Sequence, residues 1–486
     1  IPAVESQQEY RNYAQTSKVH LEMARGVVNH IQLVFPSKVN EEYRFTFDRN
    51  LKGIQISARE LKKMNGYYDA LVPFKNQLKC TDTLTAVWIT VQCPSRVPVG
   101  KYHQTIKIEG SKHFTIQLDY NVHHTTIPLK SSIPITVGVE NRCMTEGLND
   151  KEADKERQRW VDFVLSYRMT PVFGTQITPE RWQYEHSFSP WAWNDKRSIR
   201  LLNDRRYSCY MLPFFTLSEN ELASLLCNIQ KKGKLKESLF YIWDEPAYME
   251  DYEQIKQKVN IIRKYASDAR ILTTFFCGPR NGPRKGDLYA VFDYLKHHIH
   301  VATISLAPCK GNEEEVQHIR YKVPEGIDWW SYVCWQPGGN EPNFLLQMKG
   351  IQQRAIMWRT WKNGSQGFLY WNCNIYHKRN PFTYITDMPH GDGILIYPGD
   401  ILGRKGPIAS ARLERWRDGA EEMELLRLVE KNYSKEKADT LLNIVYSSPL
   451  SFIEKAHNIP FFRKELLDQL DKTIPIDYKL RITDFI

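Results

Sequence analysis

The chain has 486 residues, 42% hydrophobic and 25% charged, which is more than one hydrophobic core usually organises, so two domains are expected. Its formal net charge of +10 comes from Lys and Arg interleaved with Asp and Glu, not gathered on one stripe, which argues against a nucleic-acid-binding module. No stretch is apolar for the length a bilayer requires, and nine cysteines at irregular spacing, without CxxC pairs, suggest neither a disulfide scaffold nor a zinc site.

Up to about residue 128 the sequence offers short alternating runs between turn signals: Tyr43–Phe47, Leu84–Val91, Tyr102–Ile108 and Phe114–Tyr120. This spacing predicts an antiparallel β-sandwich over residues 1–130. The stretch Val97–Tyr102 reads as a turn feeding an edge strand, and Ile127-Pro128 as the domain exit. Cys80 and Cys93 lie close enough to bridge a hairpin, although buried free thiols are the simpler reading. The sequence opens on Ile1 and not on Met, which fits a trimmed chain that has lost an export signal, hence a secreted, periplasmic or cell-surface protein.

From about residue 133 the rhythm becomes strand, loop, helix. Strands are predicted at Ile135–Glu140, Pro171–Gly174, Tyr207–Phe215, Leu239–Trp243, Ile271–Phe276, Val301–Leu306, Trp329–Cys334 and Gly367–Trp371. Helices are predicted at Lys151–Tyr167, Glu219–Lys231, Glu250–Tyr265, Leu288–His297 and Phe344–Lys362, with a last one at Ser410–Asn432. Eight strands alternating with helices predict an α/β fold, a (β/α)8 TIM-type barrel over residues 131–486 with a C-terminal helical extension. A doubly wound open sheet is the alternative, but no glycine-rich phosphate loop follows any strand.

In such barrels function sits where the strands end. The fourth strand ends in Tyr241-Ile242-Trp243-Asp244-Glu245-Pro246, two adjacent carboxylates after an apolar run, where desolvation can raise one pKa. Pro246 biases Glu245 toward extended geometry. The plainer alternative makes Asp244 a helix cap and Glu245 a structural ion pair. Strand seven carries Trp330, Tyr332 and Trp335, followed by Asn343, and strand eight carries Tyr370, Trp371 and Asn374. Together with Trp243 they read as a stacking platform with amide donors for sugar hydroxyls, in keeping with an aromatic content of 12%. Asp392, in Gly391-Asp392-Gly393, is a turn residue or a sugar ligand. His297, His298 and His300 straddle a helix end and a strand start, away from the chemistry, and solvated or capping roles are expected for them and for His123 and His124. No metal or cofactor is expected.

These residues resemble glycoside hydrolase family 123. The resemblance is carried by Asp244-Glu245-Pro246, the Trp330–Tyr332 strand, Gly367–Trp371, the segment Gly391–Gly399 and the segment Ser410–Gly419. It implies a retaining, substrate-assisted β-N-acetylhexosaminidase, with N-acetylgalactosamine (GalNAc) favoured, acting on a glycan or glycoconjugate. Glu245 would be the general acid, Asp244 would orient the 2-acetamido group, and Tyr332 would donate a second hydrogen bond to it. Two alternatives stand beside this. One is a glycosidase on a non-acetamido sugar with a distant second carboxylate, for which Glu325 and Asp328 lie at the wrong strand end. The other is a glycan-binding protein without catalysis.

Overall fold

The computed structural model describes residues 17–48, 53–178, 183–287, 289–377, 380–382 and 389–473. Two compact units make up the chain: Ile1–Leu129 with Leu346–Trp358 and Ile408–Ile486, and Lys130–Leu345 with Arg359–Pro407. The residues after Pro407, expected in the barrel domain, thus group with the N-terminal unit.

The strands of the first unit are β1 (Lys18–Arg25), β2 (Val27–Pro36), β3 (Glu42–Phe47), β4 (Gln55–Met64), β5 (Tyr67–Pro73), β6 (Gln77–Lys79), β7 (Leu84–Cys93), β8 (Gly100–Glu109) and β9 (His113–Thr126). They form two sheets, ordered β1-β9-β8-β3-β6 and β2-β7-β4-β5, antiparallel except for the β1–β9 pair. In β8 alternate residues (Tyr102, Gln104, Ile106 and Ile108) are buried while Lys101, His103 and Lys107 face solvent, the period-two pattern of a half-buried strand. The edge strand expected after the Val97–Tyr102 turn is β8, which is paired on both sides. Cys80 and Cys93 are buried free thiols.

His123 departs from its expected solvated role. It is buried at the end of β9, between Glu22 of β1 (Nε2–Oε2 2.6 Å) and Asp471 of the helix Ile459–Asp471 (Nδ1–Oδ2 2.9 Å). Burial opposes charge on the imidazole, but the hydrogen bonds to Asp471 and Glu22 outweigh it and raise its pKa to about 9. Burial likewise opposes the charge on Glu22, and hydrogen bonds from His123, His20 and Asn121 bring that carboxyl down to about 2.

The second unit contains β10 (Ile135–Glu140), β11 (Thr170–Thr178), β12 (Gln183–Ser187), β13 (Tyr210–Met211), β14 (Ser238–Trp243), β15 (Ile271–Phe275), β16 (Val301–Ser305), β17 (Asp328–Val333) and β18 (Phe368–Tyr370). They form one nearly closed nine-stranded sheet, ordered β12-β11-β10-β18-β17-β16-β15-β14-β13. This differs from a regular eight-stranded barrel in two ways. β12 folds back antiparallel on β11, and no ladder joins β11 to β13 among the described residues. Side chains take over there. Thr170 Oγ1 of β11 accepts Ser208 N–H (3.0 Å), and the buried Glu185 of β12 accepts the N–H groups of Phe214 (2.8 Å) and Thr216 (2.7 Å). This side-chain bonding leaves only Tyr210–Met211 as strand where Tyr207–Phe215 was expected.

Helices follow the strands, among them Asp150–Ser166, Glu219–Lys231, Met249–Tyr265, Ala290–Leu295 and Gly350–Lys362. Asn149 with Glu152, and Ser218 with Glu221, form capping boxes that start the first two. Leu288, the expected start of one helix, lies outside the described residues. The helix Glu313–Lys322 has no counterpart in the sequence reading, because only Val316 and Ile319 mark its buried face. The barrel interior is filled by Val172, Met211, Leu239, Leu272, Val301, Trp330, Tyr332 and Leu369, with Tyr241 and Trp371 packed partly against them.

The ion pairs of His123 make stability pH-dependent with a defined sign. Because its folded pKa is raised from 6.5 to about 9, its contribution is complete below pH 6.5 and lost as pH rises to 9. Thermal denaturation should therefore show His123→Gln destabilised, by about 2 kcal/mol, at pH 6, with the gap to wild type closing by pH 9.

Candidate active site

β14 carries the carboxylates because its regular alternation breaks at its end. Leu239 and Tyr241 point into the barrel. The register against β15 then slips, Tyr241 pairing Leu272 and Trp243 pairing Thr273, a bulge of one residue. Glu245 follows with φ of +43°, a left-handed conformation that a non-glycine residue rarely adopts, instead of the extended one expected before Pro246. In a straight strand Asp244 and Glu245 would face opposite ways. Here both reach tyrosines of the barrel interior.

Asp244 Oδ1 accepts the hydroxyls of Tyr241 (2.6 Å) and Thr274 (2.6 Å). Thr274 Oγ1 also accepts the backbone N–H of Glu245 (2.9 Å), so one β15 side chain fixes both members of the pair. Glu245 Oε1 accepts the hydroxyl of Tyr332 from β17. The Glu245 side chain touches solvent, yet protein atoms crowd it on its inner side. Burial and the negative charge of Asp244 raise its carboxyl to about 7, against the smaller downward pulls of Tyr332 and Arg280.

Beside Asp244 lies a cavity of about 70 Å³, several times the ~10–15 Å³ that one water needs. Its walls include Val139, Val172, Met211, Leu369, Tyr241, His186 and Trp371. His186 of β12 stacks on Tyr241 (ring centroids 4.3 Å, planes 21° apart). Burial lowers its pKa to about 4, the carbonyls of Tyr241 and Tyr184 working in the opposite direction, so the ring is neutral near pH 7. Trp371 is placed by its Nε1 donating to the buried Asp392 (2.9 Å), which Tyr370 also reaches (3.2 Å). Two glycines admit this arrangement. A Cβ on Gly138 would stand 1.9 Å from the Trp371 carbonyl, and one on Gly393 (φ +69°) 2.6 Å from the Trp371 ring.

The predicted residues thus separate by position. Asp244, Tyr370 and Trp371 line the cavity, Asp392 supports Trp371, and Glu245 with its Tyr332 partner stands next to Asp244. Tyr332, expected to meet the substrate's acetamido group, is engaged with Glu245 instead. Trp335 is 40% exposed at the rim. Trp330 is 1% exposed and fills the barrel core. Asn343 spends its amide on the carbonyls of Cys334 and Pro337 and on Phe344 N–H, and Asn374 spends its own on both backbone groups of Glu140. All three are buried, and none of them lines the cavity beside Asp244. Trp243 is half-buried under Lys258 Nζ, 5.6 Å from its ring, in the helix that follows. Sequence reasoning missed Thr274, Tyr241 and His186. Thr274 could have been found, as a polar residue near the end of the otherwise apolar run after Ile271. His186 sits on a strand without an apolar pattern.

An acidic pair at the carboxyl ends of barrel strands, beside an aromatic-walled cavity, is the equipment of a carbohydrate-cleaving enzyme. The chain belongs to glycoside hydrolase family 123: residues 155–429 match the family's description, Glycoside hydrolase 123, catalytic domain. It is accordingly a glycosidase, and its substrate is a glycan. A family 123 glycoside hydrolase from Clostridium perfringens, the subject of a structural study of glycolipid glycan hydrolysis, has the same fold, with a TM-score of 0.70 at 13% identity over 100% of this chain and 98% of that one. A GH39 β-xylosidase from Caulobacter crescentus aligns over 59% of this chain and 72% of its own (10% identity, TM-score 0.35). A β-D-glucuronidase from Dictyoglomus thermophilum aligns over 77% and 68% (9% identity, TM-score 0.35). No curated protein matches the sequence. No helix among the described residues is long and apolar enough to cross a membrane.

The raised Glu245 pKa destabilises the folded protein once the group ionises. The cost is absent below pH 4.5, grows to pH 7 and persists above it. Glu245→Gln should therefore raise Tm at pH 8 and leave it nearly unchanged at pH 4. Carboxyl carbon-13 NMR should place the Glu245 midpoint near 7, lower in Asp244→Asn and higher in Tyr332→Phe.

Proposed function

We propose that the protein is a retaining, substrate-assisted β-N-acetylhexosaminidase, with GalNAc as the favoured sugar and Asp244 and Glu245 as its catalytic pair. The observation that carries this reading is the contrast between two adjacent carboxylates. One accepts hydrogen bonds from two hydroxyl donors, and the other is kept protonated to about pH 7 by burial and by its neighbour.

Glu245 donates its proton to the glycosidic oxygen as the bond to the anomeric carbon breaks, and the aglycone leaves as an alcohol. The substrate's own acetamido carbonyl oxygen attacks the anomeric carbon and forms an oxazolinium ion. Asp244 accepts the acetamido N–H and stabilises the positive charge. Glu245, now a carboxylate, takes a proton from water as the water adds to the anomeric carbon, which reopens the ring with overall retention. The substrate supplies the nucleophile, so no second carboxylate on the opposite face of the sugar is required. The mostly apolar cavity beside Asp244 suits an acetamido methyl group, and the Trp371 ring suits the apolar face of a pyranose.

The test is hydrolysis of aryl β-glycosides of GalNAc, N-acetylglucosamine, galactose and glucose. Turnover should be confined to the 2-acetamido sugars, with GalNAc preferred. It should fall by about 100-fold or more in Asp244→Asn and in Glu245→Gln. Comparable turnover of the galactoside or glucoside would rule out substrate assistance.

A further inference from the structure

Outside the cavity, at the same end of the barrel as Glu245, stands a second group of side chains that the reaction itself does not use. Phe276 follows β15 and Trp335 follows β17, and their rings stack at 6.2 Å with planes 23° apart. Arg280 is tied to the turn after the catalytic pair by its backbone N–H, which donates to the Ala247 carbonyl at 2.6 Å. Its side chain is exposed, with the Tyr248 hydroxyl and the Cys277 sulfur as polar neighbours, and it forms no ion pair among the described residues. A positive charge in this place eases ionisation of Glu245, which works against a general acid. Its place beside the acid therefore calls for another use.

A general acid protonates the oxygen between the sugar being cleaved and the group that departs. With the cleaved sugar in the Asp244 cavity, which none of these three residues lines, the departing group lies on the Glu245 side, where the charge of Arg280 is felt. An aromatic pair with the Trp335 ring exposed and Phe276 half-buried matches the apolar face of a second pyranose. A guanidinium without an ion-pair partner matches a carboxylate or sulfate through two parallel hydrogen bonds. We propose that Phe276, Trp335 and Arg280 form the leaving-group subsite, and that it takes a sugar bearing an anionic group next to the glycosidic bond cleaved. This deepens the function proposed above and rests on Glu245 being its acid. The net charge of +10 assists the approach of such a substrate.

The test varies charge alone. The sugar that the aryl-glycoside panel shows to be cleaved is linked β to O4 of glucuronic acid, and separately to O4 of glucuronamide. Wild type should have a kcat/KM about tenfold higher on the acid, by a margin that shrinks as salt is raised. Arg280→Gln should lose that preference. Trp335→Ala should lower kcat/KM on both compounds and keep their ratio, which a merely structural effect at Arg280 would not reproduce. A glucose 6-sulfate aglycone, set against glucose, separates sulfate from carboxylate, and preference for either supports the subsite. Equal rates on acid and amide and on sulfated and plain aglycones, or a preference that survives in Arg280→Gln, would overturn it. If the panel gives no turnover, the catalytic reading has failed by itself. Calorimetric titration with the methyl glycosides of glucuronic acid and glucuronamide then decides, since discrimination through Arg280 upholds the anion site and its absence removes it.

Discussion

The hydroxyl of Thr274 holds the site together. It accepts the N–H of Glu245 and donates to Asp244, and the Tyr241 hydroxyl on that same carboxylate lies 3.1 Å away. Two neighbouring residues on a strand would ordinarily point apart. The bulge between Tyr241 and Trp243 and the left-handed turn at Glu245 bring them together, and such a conformation costs a non-glycine residue about 1–2 kcal/mol. Part of that cost is offset by Thr274, because the turn delivers the Glu245 N–H to an acceptor that already faces Asp244. Almost every other feature of the site is arranged around this fixed pair.

The surroundings then separate the two carboxyl groups chemically. Donors from β14 and β15 meet Asp244, whereas Glu245 meets one hydroxyl from β17 and the repulsion of Asp244 itself. The Tyr241 ring is held from behind by a His186 that stays uncharged near neutral pH, so the stack adds no positive charge to the Asp244 side. Trp371 is set by a hydrogen bond to Asp392 and by glycines at 138 and 393 that leave room for its carbonyl and its ring. Placement thus gives the two carboxyl groups different surroundings at the end of one strand.

Much of the barrel was legible in the sequence because its strands are continuous apolar runs that end in polar residues. Ile135–Glu140 has the expected bounds, and Asp244-Glu245-Pro246 falls at a strand end as read. The parts that were not legible have physical causes. β12 is an antiparallel insertion with little apolar pattern, and β13 is reduced to two residues, flanked by N–H groups of Ser208 and Phe214 that the side chains of Thr170 and Glu185 accept. Composition alone could not sort the aromatic and amide residues of strands seven and eight. Trp330, Asn343 and Asn374 look like ligands in the sequence, yet they are consumed by packing or by backbone partners, facts that only the folded chain contains. The bulge at the acidic pair was anticipated only as a need for irregularity, since neither the register slip nor the positive φ has a local sequence marker.

Family membership and fold define a glycosidase, while the division of labour between Asp244 and Glu245 is the claim on which the rest depends. The most direct measurement of it is calorimetric binding of a GalNAc-derived thiazoline, a stable mimic of the oxazolinium ion, to wild type, Asp244→Asn and Glu245→Gln. The account predicts tight binding to wild type, a loss of about 100-fold or more in Asp244→Asn, and a much smaller loss in Glu245→Gln. Weak binding to wild type, or equal binding to wild type and Asp244→Asn, would contradict it.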